Sequence, residues 1–205
     1  MNEFDRKARE WDKDSRRETM ALAVAEGIRK RVPLSKQMIS FEYGCGTGNL
    51  SFALKPYLGH IVLADSSEGM LEVTQEKIAG RGLKSMEVMK IDLTTDRPPA
   101  AKFDLIYSQM TLHHVEDVPQ ILKVFAGMLN KPGYLCIADL DKEDGGFHGE
   151  NFSGHKGFCR SELTRMAQAA GFRDTEISTA LQIPRQREDG STREYSMFLL
   201  TAAHY

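Results

Sequence analysis

Residues 38–50 read MISFEYGCGTGNL, a short apolar run followed by glycines at alternate positions. The run predicts a buried strand over residues 38–43. The glycines at 44, 46 and 48 predict a tight turn, and Leu50 begins the apolar pattern of a helix. Because glycine has no side chain, the backbone of this loop can approach a nucleotide-like ligand closely.

The alternation of strand and helix continues along the chain. Further strands are predicted over residues 60–64, 86–91, 103–107 and 134–138, and helices over residues 67–79, 119–129 and 161–171. Short apolar strands separated by helices indicate a parallel sheet covered on both faces. In such sheets ligands bind beyond the carboxyl ends of the strands, so we expect the functional site there.

The two ends of the chain depart from this alternation. Residues 5–31 are charge-rich and proline-free, which predicts one helix ending before Pro33. Residues 175–183 and 195–203 both resemble strands, and the link between them is too short and polar for a crossover helix. We therefore expect a doubly wound α/β fold, mostly parallel, that ends in an antiparallel hairpin.

The composition is that of a globular domain and excludes several classes of protein. The 205 residues, 41% of them hydrophobic, suffice for one core, so we expect a single domain over residues 1–205. The balance of 27 Lys+Arg against 29 Asp+Glu lacks the basic excess of a nucleic-acid binder. No signal-peptide pattern or membrane-spanning run is present, which favours an unprocessed cytoplasmic protein without stable membrane association.

The cysteines do not suggest a disulfide framework or a zinc site. Cys45, Cys136 and Cys159 are odd in number, widely separated and without a C-x-x-C pair. Asp139, Asp141, His148 and His155 are residue types that bind metals, but no helical spacing brings them together. We therefore expect no metal site.

Two acidic residues end predicted strands near the glycine loop. Asp65 closes the second strand, where a carboxylate can accept hydrogen bonds from both hydroxyls of a ribose. An aspartate at a strand end is also a common turn former or helix cap, so Asp65 alone identifies no ligand. Asp92 closes the third strand, where a carboxylate can accept a hydrogen bond from the exocyclic amine of adenine. Asn49 stands where the dinucleotide fingerprint requires glycine, which counts against NAD.

Taken together, these landmarks resemble class I S-adenosylmethionine-dependent methyltransferases. The matching segments are residues 42–48, Asp65, residues 92–93, residues 103–108, LHHV at 112–115 and residues 131–135. They follow the family order over nearly the whole chain, and the LHHV segment is similar to that of ubiquinone- and menaquinone-type methyltransferases. The resemblance implies a Rossmann-like, seven-stranded fold, S-adenosylmethionine as cofactor and S-adenosylhomocysteine as product.

The resemblance also implies a cofactor site under a helical cap formed by residues 1–32. Asp65 would hold the ribose, Asp92 and Leu93 would bind adenine, and Ser108 would present its backbone near the sulfonium. Phe4 and Trp11 would cover the cofactor, although Trp11 is equally well explained by packing. The expected cofactor contacts are Trp11, Tyr43, Gly44, Cys45, Gly46, Asp65, Ser66, Met70, Asp92, Leu93 and Ser108.

The acceptor is expected beyond the fourth strand, next to Gln109 and His113. We expect His113 to act as general base if the acceptor must lose a proton, because the pKa of imidazole lies near physiological pH. His148 and His155 belong to the irregular stretch 143–157, where a lid over the acceptor would form; solvated loop histidines are the alternative.

The predicted function is transfer of a methyl group to an O, S, N or C nucleophile of a small or medium-sized acceptor. A non-catalytic S-adenosylmethionine-binding protein and an NAD-dependent oxidoreductase are the alternatives. Residues 108–111 read SQMT, where methyltransferases of exocyclic base amines carry Asn/Asp-Pro-Pro-Tyr/Phe, so a nucleic-acid substrate is not expected. The sequence fixes neither the acceptor nor the oligomeric state.

Overall fold

The structure, a computed structural model that describes residues 3–149, 152–186 and 190–205, is built around one seven-stranded sheet. The strands are β1 (Ile39–Tyr43), β2 (His60–Asp65), β3 (Met86–Lys90), β4 (Phe103–Gln109), β5 (Leu129–Leu140), β6 (Arg173–Gln186) and β7 (Thr192–His204). Their order is β3-β2-β1-β4-β5-β7-β6, parallel from β1 to β5, with β7 antiparallel to both its neighbours. The predicted α/β sheet with an antiparallel C-terminal strand is confirmed.

Helices cover both faces of the sheet. They are α1 (Glu3–Lys7), α2 (Ser15–Arg31), α3 (Asn49–Leu54), α4 (Glu68–Gly80), α5 (Val118–Met128) and α6 (Arg160–Ala169). Alternate residues of β4 pack on opposite faces: Leu105 and Tyr107 join a cluster with Ile28 of α2, whereas Ile106 joins one with Phe125 of α5. Burial on both faces explains why β1, β2 and β4 are mostly apolar.

The predicted single helix over residues 5–31 is wrong, because the chain breaks at Asp14. A 3₁₀-helix, Ala8–Lys13, follows α1, and Asp14 then adopts an extended conformation and accepts a hydrogen bond from the Arg16 amide at 3.1 Å. Aspartate is a favoured helix N-cap because its carboxylate satisfies a free backbone N–H group. The break lets the first residues turn back over the sheet edge.

Other element bounds differ from the prediction by a few residues. Helix α6 begins at Arg160 with Cys159 in the capping position, not at Ser161 as predicted. Strand β5 extends beyond residues 134–138 at both ends, and the two strands of the hairpin are longer than predicted. Within the predicted irregular stretch 143–157, residues 150–151 lie outside the described residues, as do residues 187–189 of the hairpin link and residues 1–2 of the cap.

None of the helices within the described ranges combines the length and apolar character needed to cross a bilayer.

A buried polar network joins β1, α3 and β4. The Ser51 hydroxyl donates to the carboxylate of Glu42 and lies 2.6 Å from the hydroxyl of Tyr107. All three side chains are buried. Burial raises the pKa of Glu42 to about 8, because removing a carboxylate from water disfavours its charged form.

We predict that Glu42 makes the protein less stable as the pH rises from about 4.5 to about 8. In the folded state Glu42 keeps its proton up to the higher value, whereas the unfolded chain releases it near 4.5, so folding takes up a proton between these limits. Urea unfolding across this range should show a Glu42 contribution to the slope of at most about 1.4 kcal/mol per pH unit.

Glu42→Gln removes this contribution, since glutamine has a similar shape and does not titrate. Glu72→Gln, at an exposed position of α4, is the matched control and should keep the wild-type slope. Parallel stability profiles for the wild type and Glu42→Gln would contradict the assignment.

Candidate functional site

A cavity of about 850 Å³ lies at the carboxyl ends of the central strands. The chain reverses its direction of winding between β1 and β4, which are neighbours in the sheet although two strands separate them in sequence. Such a switch point leaves a crevice, because the connections leave the two strands toward opposite sides. The volume is in the usual range for a small-molecule site.

The glycine loop forms one wall of this cavity. Gly44 has a φ of +69°, and a Cβ atom there would lie 2.2 Å from Cγ2 of Thr111. Gly46 has a φ of +53°, and the nearest atom to a Cβ there would be Nε1 of Trp11 at 3.6 Å. The loop therefore presents bare backbone to the cavity, with Trp11 beside it.

The carboxylate of Asp65 holds the loop in place. It accepts hydrogen bonds from the backbone amides of Gly46 and Ser67, each at 2.8 Å. Burial raises the pKa of Asp65 above its ordinary value, although these amide bonds oppose the shift. Asp65 also lines the cavity, so its remaining oxygen lone pairs can accept hydrogen bonds from a ligand hydroxyl.

The N-terminal segment closes over the loop through a second carboxylate. Asp12 accepts hydrogen bonds from Oγ1 of Thr47 at 2.6 Å, Nδ2 of Asn49 at 2.9 Å and Nζ of Lys77 at 2.9 Å. These contacts place the 3₁₀-helix that carries Trp11 across the start of α3. The segment therefore contributes to the cavity wall, as the predicted cap requires.

Most of the predicted cofactor contacts meet in this cavity. The residues on its wall are Trp11, Tyr43, Gly44, Cys45, Gly46, Asp65, Ser66, Met70 and Asp92. Leu93 and Ser108 are not on the wall: Leu93 is buried in the core, and the Ser108 hydroxyl donates to the Tyr43 carbonyl at 2.8 Å beneath the loop. Those two side chains support the wall instead of forming it.

His113 also lines the cavity, in a 3₁₀-helix (Leu112–His114) after β4. Its Nδ1 is 2.7 Å from Oδ1 of Asp139, whose other oxygen accepts the His113 amide at 3.2 Å. Asp139 also accepts a hydrogen bond from the backbone amide of Leu140. The side chains of His113 and Asp139 are both almost fully buried. A carboxylate at this distance selects the tautomer with the proton on Nδ1. Nε2 has no hydrogen-bond partner in the part of the chain that the structure describes.

Aromatic side chains surround the His113 ring. His148 stacks on Phe152 with the ring centroids 4.2 Å apart, and the rings of His114 and His148 lie 4.2 and 4.7 Å from that of His113. Burial lowers the pKa of both His114 and His148 to about 4. Both imidazoles are therefore neutral at physiological pH.

Gln109 and His148 line the cavity as predicted, but His155 does not. Nε2 of His155 lies 2.9 Å from the carbonyl oxygen of Val115, so this ring ties its loop to the segment after β4. Asp141 is held by Arg160 at 2.6 Å, and no cluster of metal-binding side chains occurs among the described residues.

Several residues in or beside the cavity near His113 and Trp11 were not predicted from the sequence as part of a binding site. Asp139 was considered only as a metal ligand, although its position near the carboxyl end of β5 was the available signal. Phe147, Phe152, Arg17 and Arg185 carried no recognisable motif. They meet only because the N-terminal segment, the loop after β5 and the hairpin converge.

The comparisons with known proteins agree with this geometry. The family model described as "Methyltransferase domain" matches residues 41–137. An uncharacterized methyltransferase of Schizosaccharomyces pombe is 26% identical over 156 residues, covering 68% of this chain and 55% of the relative. Phosphoethanolamine N-methyltransferase 1 of Zea mays is 35% identical over 106 residues, covering 51% of this chain and 21% of the relative. The chain thus spans about half of the first relative's length and about a fifth of the second's.

A solved structure supports the same conclusion at the level of the fold. The S-adenosylmethionine-dependent methyltransferase of Aquifex aeolicus matches with a TM-score of 0.71 at 21% identity, covering 98% of both chains. The glycine loop, the carboxylates after β2 and β3 and the matched domain all agree with S-adenosylmethionine as the cofactor. Residues 41–137 of the chain therefore match a methyltransferase domain, on a fold shared with the S-adenosylmethionine-dependent methyltransferase of Aquifex aeolicus.

Proposed function

We propose that this protein methylates a proton-bearing nucleophile of a small or medium-sized acceptor, with His113 as the general base. The observation that carries this proposal is His113 on the cavity wall, paired with the buried Asp139 and with Nε2 unpartnered among the described residues. The glycine loop supports the cofactor assignment, since a side chain at Gly44 would collide with Thr111.

In this proposal the two sides of the cavity have separate tasks. Gly44 and Gly46 hold the methionine part of the cofactor beneath Trp11, Asp65 holds the ribose, and Asp92 holds the adenine. S-adenosylmethionine supplies a methyl group bonded to a sulfonium leaving group. The protein aligns the acceptor and excludes water, and alignment supplies much of the acceleration in such displacements.

His113 removes the proton that the nucleophile must lose. As the bond from nucleophile to methyl forms, the bond from methyl to sulfur breaks and its electron pair remains on sulfur, giving a neutral thioether. The proton passes to Nε2 of His113, and the Asp139 carboxylate stabilises the imidazolium that results. His114 and His148, neutral because of their lowered pKa, add no positive charge beside it.

The acceptor class is the finer part of the proposal. The names of the plant relatives state an amine acceptor, phosphoethanolamine, whereas the LHHV segment resembles quinone-type enzymes. An amine and a phenolic hydroxyl each carry a proton that His113 can accept. We further propose that the domain acts as a single unit in the cytoplasm on a small molecule.

Asp65→Ala should weaken S-adenosylmethionine binding at least about tenfold, the scale of losing a hydrogen bond to a charged group. Calorimetric titration with S-adenosylmethionine, S-adenosylhomocysteine and NAD measures this effect. Asp117→Ala is the matched control, because Asp117 likewise accepts a backbone amide, that of Gln120, but lies off the cavity. Unchanged affinity in folded Asp65→Ala would exclude the ribose role, and binding of NAD alone would exclude the cofactor.

His113→Gln should lower kcat by about 10²- to 10⁴-fold while leaving the affinity for S-adenosylhomocysteine within about threefold. Asp139→Asn should also lower kcat, because an amide can donate to Nδ1 and so select the wrong tautomer. The measurement is S-adenosylhomocysteine formation with a panel of amines, phenols and thiols that begins with phosphoethanolamine.

The pH profile distinguishes catalysis from a structural role. The pH dependence of kcat in the wild type should differ from that of the residual activity of His113→Gln, because only the wild type has a base at this position. His155→Gln, which changes an imidazole off the cavity, should keep the wild-type kcat and profile. Equal losses in both glutamine variants, or an unchanged profile in His113→Gln, would refute the base assignment.

A further inference from the structure

Among the described residues, two of the four lysine and arginine side chains on the cavity wall have no ion-pair partner. Lys7 pairs with Glu3, and Arg16 pairs with Asp14, with Nη2 to Oδ2 at 2.7 Å. The other acidic side chains on the wall accept the hydroxyl or backbone N–H groups of their neighbours. Two guanidinium groups remain, on Arg17 and Arg185, and no ion pair to either is found in the described part of the chain.

Arg17 is held by stacking instead of by a counter-ion. Its guanidinium lies over the ring of Trp11, with Cζ 3.2 Å from the ring centroid. Nε is buried and has no hydrogen-bond partner among residues 3–149, 152–186 and 190–205. Burial lowers the pKa of Arg17 below its ordinary value, because partial removal from water disfavours the charged form.

Arg185 reaches the cavity from the hairpin. Its Nη2 donates to the carbonyl oxygen of Phe147 at 2.7 Å, and its Cζ lies 4.7 Å from the centroid of the Phe147 ring. Phe147 contacts His148, which in turn contacts His113, so Arg185 belongs to the acceptor side of the cavity. Burial lowers the pKa of Arg185 as well.

Two partly buried like charges without a counter-ion are unfavourable, and an anion between them would relieve the cost. Bound S-adenosylmethionine would bring a net positive charge into the cavity, because its sulfonium and ammonium groups together outweigh its one carboxylate. Guanidinium groups bind phosphate and carboxylate through paired hydrogen bonds, which Arg17 and Arg185 retain the donors to make.

We propose that Arg17 and Arg185 form an anion subsite that binds a phosphate or carboxylate group on the methyl acceptor. This inference rests on the proposed function, since it specifies the acceptor of the same site. The subsite holds the anionic end of the acceptor beside the hairpin, while its nucleophile reaches His113. The other anion that could bind there is the cofactor's own carboxylate, and the experiment separates the two.

The test is calorimetric titration of inorganic phosphate, and separately acetate, into the full chain saturated with S-adenosylhomocysteine. Phosphate or acetate should bind this complex, and Arg185→Gln should weaken that binding at least about tenfold while changing the affinity for S-adenosylhomocysteine less than about threefold. Arg17→Gln should weaken anion binding to a similar extent. Arg165→Gln, on an arginine off the cavity whose Nε donates to the Ser161 carbonyl, is the matched control and should bind as the wild type does.

The possible results distinguish failure of the anion subsite from failure of the proposed methyltransferase function. If S-adenosylhomocysteine binds but neither anion does, or if Arg185→Gln leaves anion binding unchanged, the subsite is refuted and the methyltransferase function stands. Anion binding that disappears when S-adenosylhomocysteine is added would assign the arginines to the cofactor carboxylate and also refute the subsite. Failure of folded protein to bind S-adenosylhomocysteine at all would overturn the proposed function itself.

Discussion

The carboxylate of Asp65 connects the glycine loop, the start of α4 and the N-terminal segment, which all line the cavity. Parallel pairing aligns Tyr43 with Ala64, so the loop after β1 and the turn after β2 leave the sheet side by side. The Gly46 and Ser67 amides then converge on Asp65. The Ser67 hydroxyl in turn donates to Asp5 of α1 at 2.6 Å. One buried carboxylate thus fixes the glycine loop, the start of α4 and, through Ser67, the N-terminal segment.

The charged and neutral side chains of the cavity are arranged as the proposed binding of a cationic cofactor requires. The acidic side chains lie under the loop and on the adenosine side, where they accept amides and hydroxyls. Burial keeps His114 and His148 neutral beside His113, and in the proposed mechanism the Asp139 carboxylate would compensate a proton on His113. Neutral rings next to the reacting centre avoid repulsion of the sulfonium, and their faces can also stabilise it.

The sheet and the position of the glycine loop and Asp65 at the cavity could be predicted because their sequence signals are local. Apolar runs, alternate glycines and an aspartate at a strand end lie within a few residues of one another, and the parallel sheet brings strand ends together automatically. The side of the cavity around His113 could be predicted only in part. His113 and His148 are expected there because they follow β4 and β5, whereas the contacts of Asp139 and Arg185 depend on loop conformations that no periodicity encodes. Asp139 was further obscured because β5 is buried on both faces, which removes the alternation that marks a strand's two sides.

The helix break at Asp14 determines where the N-terminal segment lies relative to the cavity. The residues on both sides of Asp14 are charge-rich and proline-free, so the sequence favours one unbroken helix. With Asp14 as N-cap, the segment before it folds back and Asp12 fastens it to the glycine loop. The first turn of α2 then places Arg17 against Trp11. The same capping residue that ends the predicted helix therefore brings together the cover of the cofactor and one half of the proposed anion subsite, so that binding at the two sides shares a common structural support.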